Sequence, residues 1–416
     1  MQTKSKNQLL VIDNSYTYEM ILNMGIEQSV LYRDLNGFFT HVWSVHPFAS
    51  LLTTDKWSEK YGKPIFYKMN ERHTFIEGKV GRYNWLHKFF VLNFFVSQFL
   101  LFGKLFFLIK KNNIKIIRVG DPSYLGLFGL SLSFLTGIPL LIRVNGNGKR
   151  VRSDTGKPIY SRLFRSVKIE SAIEKFVFPK ADLVVALNQD NLEYAVEFGA
   201  NPKKVKIFCL GNLLAPVHME DPIKRICNDA LFESFNIKPY EYLLIVGRLQ
   251  ACKFPGDAIR VFSKIYSDNI NYKLVYVGEG DMLDELKNFA VSEGVSDSVV
   301  FIGNQNQNTL AQLNTFASVI ISPLTGRALS EAALCGGAIV AYDLDWQGDI
   351  ILNNKTGCLI PFREWEKMVV ATKELINNKT FSNEMRVNLR KHALSMLNPT
   401  DLNNYEIKAY TELIYK

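Results

Sequence analysis

The chain has 416 residues, more than one hydrophobic core usually organises, so two domains are the simplest expectation. Hydrophobic residues make up 47% and charged residues 21%, ordinary globular values that argue against a disordered chain or a protein that spans a membrane many times. The net charge of +9 is uneven: residues 1–215 hold 29 Lys and Arg against 16 Asp and Glu, and the remainder holds 20 against 24. A basic first half suits an anionic partner, such as a membrane surface, a phosphate-bearing substrate or nucleic acid, with a merely solvated basic face as the alternative.

The first residues are polar and lead into a short apolar run at 9–12, too short for a signal-peptide core. Five cysteines (Cys209, Cys227, Cys252, Cys335, Cys358) are odd in number and scattered, with no C-x-x-C pair, which predicts reduced thiols and a cytoplasmic chain. Apolar runs at 9–13, 114–120, 139–146, 182–188 and 205–212 predict the strands of a first parallel sheet. Between the first two lies 89–109, apolar and long enough to be weighed as a membrane span. Its interior Asn93, Ser97, Gln98 and Lys104 favour a buried crossover helix, with a partly exposed membrane-docking surface as the second reading. Turn formers and short helical pieces between Leu214 and Pro239 mark a hinge, giving an N-terminal domain over 1–215 and a C-terminal one over 216–398. Residues 399–416 are expected to form a helix returning to the first domain. In the second half, strands at 242–247, 273–278, 298–303, 318–323 and 338–343 alternate with helices at 256–267 and 282–294, the pattern of a second doubly wound sheet.

Chemistry gathers where these strands end. Gly247 and Arg248 close the 242–247 strand and Lys253 follows, so two cations stand at the carboxyl edge of a parallel sheet, where ligands of such sheets bind and where a departing diphosphate needs positive charge. Residues 321–337 run from a strand through Thr325 and Gly326 into a helix whose N-terminus offers free N–H groups to a phosphate. Glu331, within that helix, has the chemistry to hold two vicinal ribose hydroxyls.

The order of these motifs resembles the retaining GT-B glycosyltransferases of family 4 over about 120 residues. VGRLQACKFPGDAI (246–259) is similar to their donor-phosphate loop, VGEGDMLDELKNFA (277–290) to a G-x-G turn, and VVFIGNQNQNTL (299–310) to a base-contacting segment. SPLTGRALSEAALCGGAIVAYD (322–343) and NNKTGCLI (353–360) continue the series. The resemblance implies an α/β protein of GT-B fold, two Rossmann-like domains facing each other across a cleft. It further implies a nucleotide-diphosphate sugar donor, transfer with retention to a glycan or lipid-linked acceptor, no cofactor or metal, and no nucleic acid partner. Arg248 and Lys253 then neutralise the diphosphate and Glu331 holds the ribose. Gly303 and Asn304 border the base, and Gly247, Thr325, Gly326 and Arg327 complete the donor site.

Departures accompany the matches. Pro323 stands where the family has its first glutamate, Asn145–Gly146 replaces a His-Gly, and Asp345-Trp346-Gln347-Gly348-Asp349 replaces the usual Gly-Gly-x-Pro-Glu. Asp343, Asp345 and Asp349 all remain candidates for the missing carboxylate. In the first half, Met24-Gly25-Ile26 occupies the place of a glycine loop, with Gly25 beside the donor. Asp121, Asn145, Lys149, Arg150 and Arg152 follow strand ends and are the candidates for an acceptor carrying phosphate. Asp343-Leu344-Asp345 spells a metal-binding D-x-D but follows a strand already assigned, and the 146–149 segment fails the P-loop pattern. His41 and His46 are placed near a loop of the first domain.

Overall fold

The computed structural model describes residues 7–23, 25–53, 56–209, 214–267 and 271–415. The chain divides into two compact units, Met1–Cys209 with Thr400–Lys416, and Leu210–Pro399.

The first unit holds an eight-stranded sheet: β1 (Gln8–Ile12), β2 (His41–His46), β3 (Ile65–Asn70), β4 (His73–Glu77), β5 (Ile114–Val119), β6 (Leu140–Val144), β7 (Leu183–Ala186) and β8 (Val205–Ile207), in the order β3-β4-β2-β1-β5-β6-β7-β8. Every pairing is parallel except the β3–β4 hairpin at one edge. Because side chains alternate along a strand, Leu10 and Ile12 enter a cluster with Phe94, Leu101 and Leu105 of helix Phe90–Lys111. Leu9 and Val11 enter a second cluster on the opposite face, closed by Tyr410 and Leu413 of helix Pro399–Ile414. Tyr410 packs edge-on against Phe39 at 5.2 Å between ring centroids, and its hydroxyl accepts a hydrogen bond from Arg118 Nη1 at 3.3 Å.

Strands β2, β3 and β4 have no counterpart among the strands expected from sequence. The reason is visible in β2, which buries Ser44 and His46 in a central position and so lacks an apolar run. His41 and His46 are the first and last residues of β2, each beside a loop of this unit. Residues 210–212 of the expected 205–212 strand, and Met24, lie outside the described residues.

The second unit has a six-stranded, all-parallel sheet: β9 (Tyr242–Val246), β10 (Lys273–Val277), β11 (Val299–Phe301), β12 (Val319–Ser322), β13 (Ile339–Asp343) and β14 (Cys358–Pro361), in the order β11-β10-β9-β12-β13-β14. Helix Gly256–Tyr266 presents Ile259, Phe262 and Ile265 to Leu243 and Ile245 of β9, the apolar stripe its spacing foretells. The segment expected to be a hinge is instead anchored within this unit. His218 lies buried between Cys335 and Gln307, its Nε2 2.7 Å from Gln307 Oε1. Arg225 donates from Nη1 to the carbonyl of Ala311 and to Thr315 Oγ1. The break between the units falls at 209/210, before that segment.

Candidate functional site

The parallel sheet of the second unit delivers its candidate residues to one edge. Gly247 and Arg248 leave β9, Gly278 to Gly280 leave β10, Gly303 and Asn304 leave β11, and Thr325 with Gly326 follow β12 into helix Arg327–Leu334. Backbone hydrogen bonds bind these loops to one another: Gly278 N donates to Gly303 O at 2.9 Å, Leu249 N to Glu279 O at 2.9 Å, and Met282 N to Leu249 O at 3.0 Å. The loops pass so closely that a Cβ on Gly280 would sit 2.2 Å from the Leu249 carbonyl oxygen, which only glycine tolerates. A Cβ on Gly247 would lie 3.8 Å from Thr325 Cγ2, so the β9 loop and the start of the Arg327–Leu334 helix are neighbours.

Arg248 is exposed at this edge and Lys253 is half-buried. Burial holds the Lys253 amine below the ordinary lysine value, Arg248 adds repulsion, and Cys252 and Asp345 work against both. Two neighbouring cations at one sheet edge repel each other, an arrangement that an anionic group would relieve. Of the three aspartates considered for the missing carboxylate, Asp345 is the one coupled to Lys253. Glu331 is buried within its helix, and its Oε1 lies 2.9 Å from Arg327 Nε. Gly326 caps the helix, and a Cβ there would meet open space. Thr325 is buried with its hydroxyl 2.6 Å from Ser322 Oγ, so it braces the loop from within.

What holds that loop is a residue the sequence reading passed over. Gln347 is fully buried; its Oε1 accepts from Ser322 Oγ at 2.7 Å and its Nε2 donates to the carbonyls of Pro323 and Tyr342 at 3.0 and 2.9 Å. It ties the end of β12 to the end of β13 where the family resemblance had shown only a broken motif. The departure from Gly-Gly-x-Pro-Glu marks the segment in the sequence, but not the inward turn of Gln347. Asp257 is likewise buried, accepting from Tyr342 Oη at 2.8 Å.

In the first unit, Asp121 follows β5 and Asn145 follows β6 at the same carboxyl edge, and Asn145 Nδ2 donates to Gly120 O at 3.3 Å. Tyr160 donates its hydroxyl proton to Asp121 and accepts from Asn14 Nδ2 at 2.9 Å. Burial pushes the Asp121 carboxyl up to about 6, against the hydrogen bonds from Tyr160 and Ser123 that favour its ionised form. A cavity of about 210 Å³ opens beside Tyr160, lined also by Phe48, Leu51, Phe90, Phe94, Arg162 and Leu163. A second cavity, about 530 Å³, lies in the other unit against Arg225 and Gln312, and its lining includes none of Arg248, Lys253 and Glu331.

Three cations expected to face an acceptor are otherwise engaged. Lys149 pairs with Glu197 at 2.6 Å and Arg150 with Asp190 at 2.7 Å, both at least partly exposed. Arg152 is buried and holds Glu174 with two hydrogen bonds of 2.7 and 2.6 Å, with Glu170 at 3.4 Å. Burial would depress its pKa, but the Glu174 carboxylate more than reverses that. Arg152 is therefore a structural cation and is withdrawn from the acceptor candidates. Glu170 in turn accepts from the backbone N–H groups of Ile159 and Tyr160, so this network fixes the loop that carries Tyr160 to Asp121. Gly25 is exposed at φ +61 and its N–H donates to Leu22 O, ending the helix Tyr18–Asn23 in the manner of a left-handed cap.

Two parallel α/β units of this design define the GT-B class. HepE of Anabaena, solved with UDP and glucose, superposes with a TM-score of 0.71 over 97% of this chain and 99% of its own, at 13% identity. Sucrose-phosphate synthase of Thermosynechococcus elongatus gives the same TM-score at 14% identity over 98% and 99% of the two chains. Residues 228–395, within the unit that carries Arg248, Lys253 and Glu331, match the family of glycosyl transferases group 1. Among curated relatives, an N-acetylgalactosamine-N,N'-diacetylbacillosaminyl-diphospho-undecaprenol 4-alpha-N-acetylgalactosaminyltransferase of Campylobacter jejuni is 28% identical over 214 residues, 50% of this chain and 54% of that protein. The chain spans about half the length of the curated relatives it matches.

Proposed function

We propose that the protein is a glycosyltransferase moving a sugar from a nucleoside-diphosphate donor to a hydroxyl of a glycan or lipid-linked acceptor. The observation that carries the reading is the pairing of Arg248 and Lys253 at the β9 edge beside the N-terminus of helix Arg327–Leu334. In the step proposed, the bond from the anomeric carbon to the diphosphate oxygen breaks while the acceptor oxygen bonds to that carbon from the same face. The departing phosphate takes the acceptor proton, and the two cations and the helix N-terminus meet its growing charge. Retention and membership of family 4 rest on the motif resemblance. With two fixed cations at the phosphates, we assign the enzyme no metal and no other cofactor.

UDP in the HepE structure supports a uridine donor, and the diphospho-undecaprenol substrate named for the Campylobacter relative supports a lipid-linked acceptor. The largely apolar cavity beside Tyr160 suits the lipid side of such an acceptor. On this reading the enzyme works in surface polysaccharide or glycoconjugate synthesis, in the cytoplasm at the inner face of the membrane. Calorimetric titration of UDP and UMP into the parent, Arg248→Ala and Lys253→Ala tests the donor site. Each variant is expected to fold normally and to weaken UDP by about 1.5–3 kcal/mol, the worth of a hydrogen bond to a charged group, with UMP affected less. UDP binding by both variants at the parent's affinity would remove the assignment.

A further inference from the structure

Helix Phe90–Lys111 is amphipathic in the reverse sense for a water-soluble surface. Its uncharged polar residues, Asn93, Ser97 and Gln98, face inward and are spent on the protein. Buried Asn93 accepts from the backbone N–H groups of Arg82 and Tyr83 at 2.6 and 3.0 Å and donates to Tyr83 O at 2.7 Å. Ser97 Oγ donates to Lys79 O at 2.7 Å. Gln98 Nε2 donates to Pro47 O at 3.1 Å, and its Oε1 accepts from Tyr124 Oη at 3.0 Å. These residues recur on one side with Leu101 and Leu105, all buried.

The other side carries Val91, Leu92, Phe95, Phe99 and Phe107, and Phe99 and Phe107 are 76% and 70% exposed. At 3.6 residues per turn all five fall within one half of the helix circumference. The belt continues through Trp85, 73% exposed, and Phe89 just before the helix. It also reaches Phe66 of β3, whose ring lies 5.7 Å from Lys104 Nζ. Helix Tyr124–Thr136, packed alongside through Phe102 and Phe128, adds exposed Phe134. Soluble proteins rarely leave so many large apolar side chains together in water. The charge along this stretch of chain has one sign: Lys88, Lys104, Lys110 and Lys111 are exposed, and the sequence has no Asp or Glu between Glu77 and Asp121.

We propose that this face lies in the interface of an anionic bilayer. Phe95, Phe99 and Phe107 enter the acyl boundary, Trp85 sits at headgroup depth, and the lysines pair with lipid phosphates. The 22-residue helix, about 33 Å long, lies along the surface. It does not cross the bilayer, because its polar side is fastened to the segment after β4, to the loop after β2 and to the neighbouring helix. The surface is independent of the transfer reading, since none of these residues belongs to the donor edge.

The test is co-sedimentation of the full chain with vesicles of phosphatidylcholine alone or mixed with phosphatidylglycerol, at low and high salt, for the parent, Phe95→Ser/Phe99→Ser and Lys104→Glu/Lys110→Glu. Both pairs are exposed on the helix, and an unchanged thermal transition checks their folding. The parent is expected to bind mixed vesicles at least tenfold more tightly than neutral ones, and more weakly in high salt. The phenylalanine pair is expected to lose binding at least tenfold on mixed vesicles, and the lysine pair to lose the preference for the anionic lipid. UDP affinity, measured in parallel, stays at the parent value in both. A parent that remains in the supernatant with every vesicle, or a phenylalanine variant that binds like the parent, overturns the proposal. So does a parent dimer, lost in the phenylalanine variant, with no vesicle binding, which would assign the face to a second copy of the chain.

Discussion

Replacing Arg152 with alanine separates a structural cation from an acceptor-binding one. Its guanidinium makes the two hydrogen bonds to Glu174 described above, and the side chains of Arg152 and Glu174 are 3% and 0% exposed. Truncation leaves the buried Glu174 and Glu170 side chains without their cation, a loss of about 3–5 kcal/mol. For a unit of this size each kcal/mol moves the midpoint by roughly 2–4 °C, so its transition should fall by roughly 6–20 °C. Arg152→Lys keeps the charge but not the two-pronged contact and should fall between the parent and alanine. Differential scanning calorimetry of the full chain, with the second unit's transition as internal reference, measures this. The reasoning fails if Arg152→Ala melts within about 1 kcal/mol of the parent while acceptor affinity collapses.

Three further outcomes follow from the geometry. His46 is fully buried, and burial lowers its pKa from the ordinary 6.5 to about 4, with Asp13 opposing. The unfolded chain therefore binds a proton below 6.5 that the folded chain refuses until about 4, so the first unit should lose up to about 3 kcal/mol as pH falls across that window. Urea midpoints for the parent and His46→Gln at pH values above and within the window check it, and the variant should lack this slope. Gly280→Ala drives a Cβ into the Leu249 carbonyl and is expected to cost about 2 kcal/mol or more and to weaken UDP. Gly146→Ala, whose Cβ meets nothing within 4 Å, is the neutral control in the same melting and titration assays. Dialysis against EDTA should leave glycosyl transfer unchanged, and a clear loss restored by magnesium or manganese would return the Asp343-Leu344-Asp345 triplet to consideration.

Most of the second unit's sheet was legible because parallel strands buried on both faces read as apolar runs: β9, β10, β12 and β13 each begin and end within one residue of expectation, β11 is shorter than expected, and β14 was not among the expected strands. The β2–β4 region was not, since a strand that buries Ser44 and His46 and a hairpin half open to solvent show no such run. Among site residues, backbone position was readable and pairing was not. Nothing near residue 152 announces that Glu170 and Glu174 await it, and nothing in Asp345 to Asp349 shows that Gln347 turns inward to hold Ser322. The 89–109 segment was ambiguous for a related reason: composition counts its polar residues, and only the packing shows that Asn93, Ser97 and Gln98 face the protein while Phe95, Phe99 and Phe107 face away.

The helix that closes the first unit is encoded after the whole of the second. During synthesis the strands and loop that bear Leu9, Val11, Phe39 and Ile116 emerge early, yet Tyr410 and Leu413, which cover them, come some 200 residues after the unit's first stretch ends at Cys209. At roughly 5–20 residues per second that is a wait of roughly 10–40 s. The second unit is contiguous and can complete itself on the ribosome during the interval, so the customary order, amino-terminal domain first, is reversed. An apolar sheet face left open that long is a natural client for a holding chaperone, and a nascent chain stalled before residue 410 carries that liability permanently.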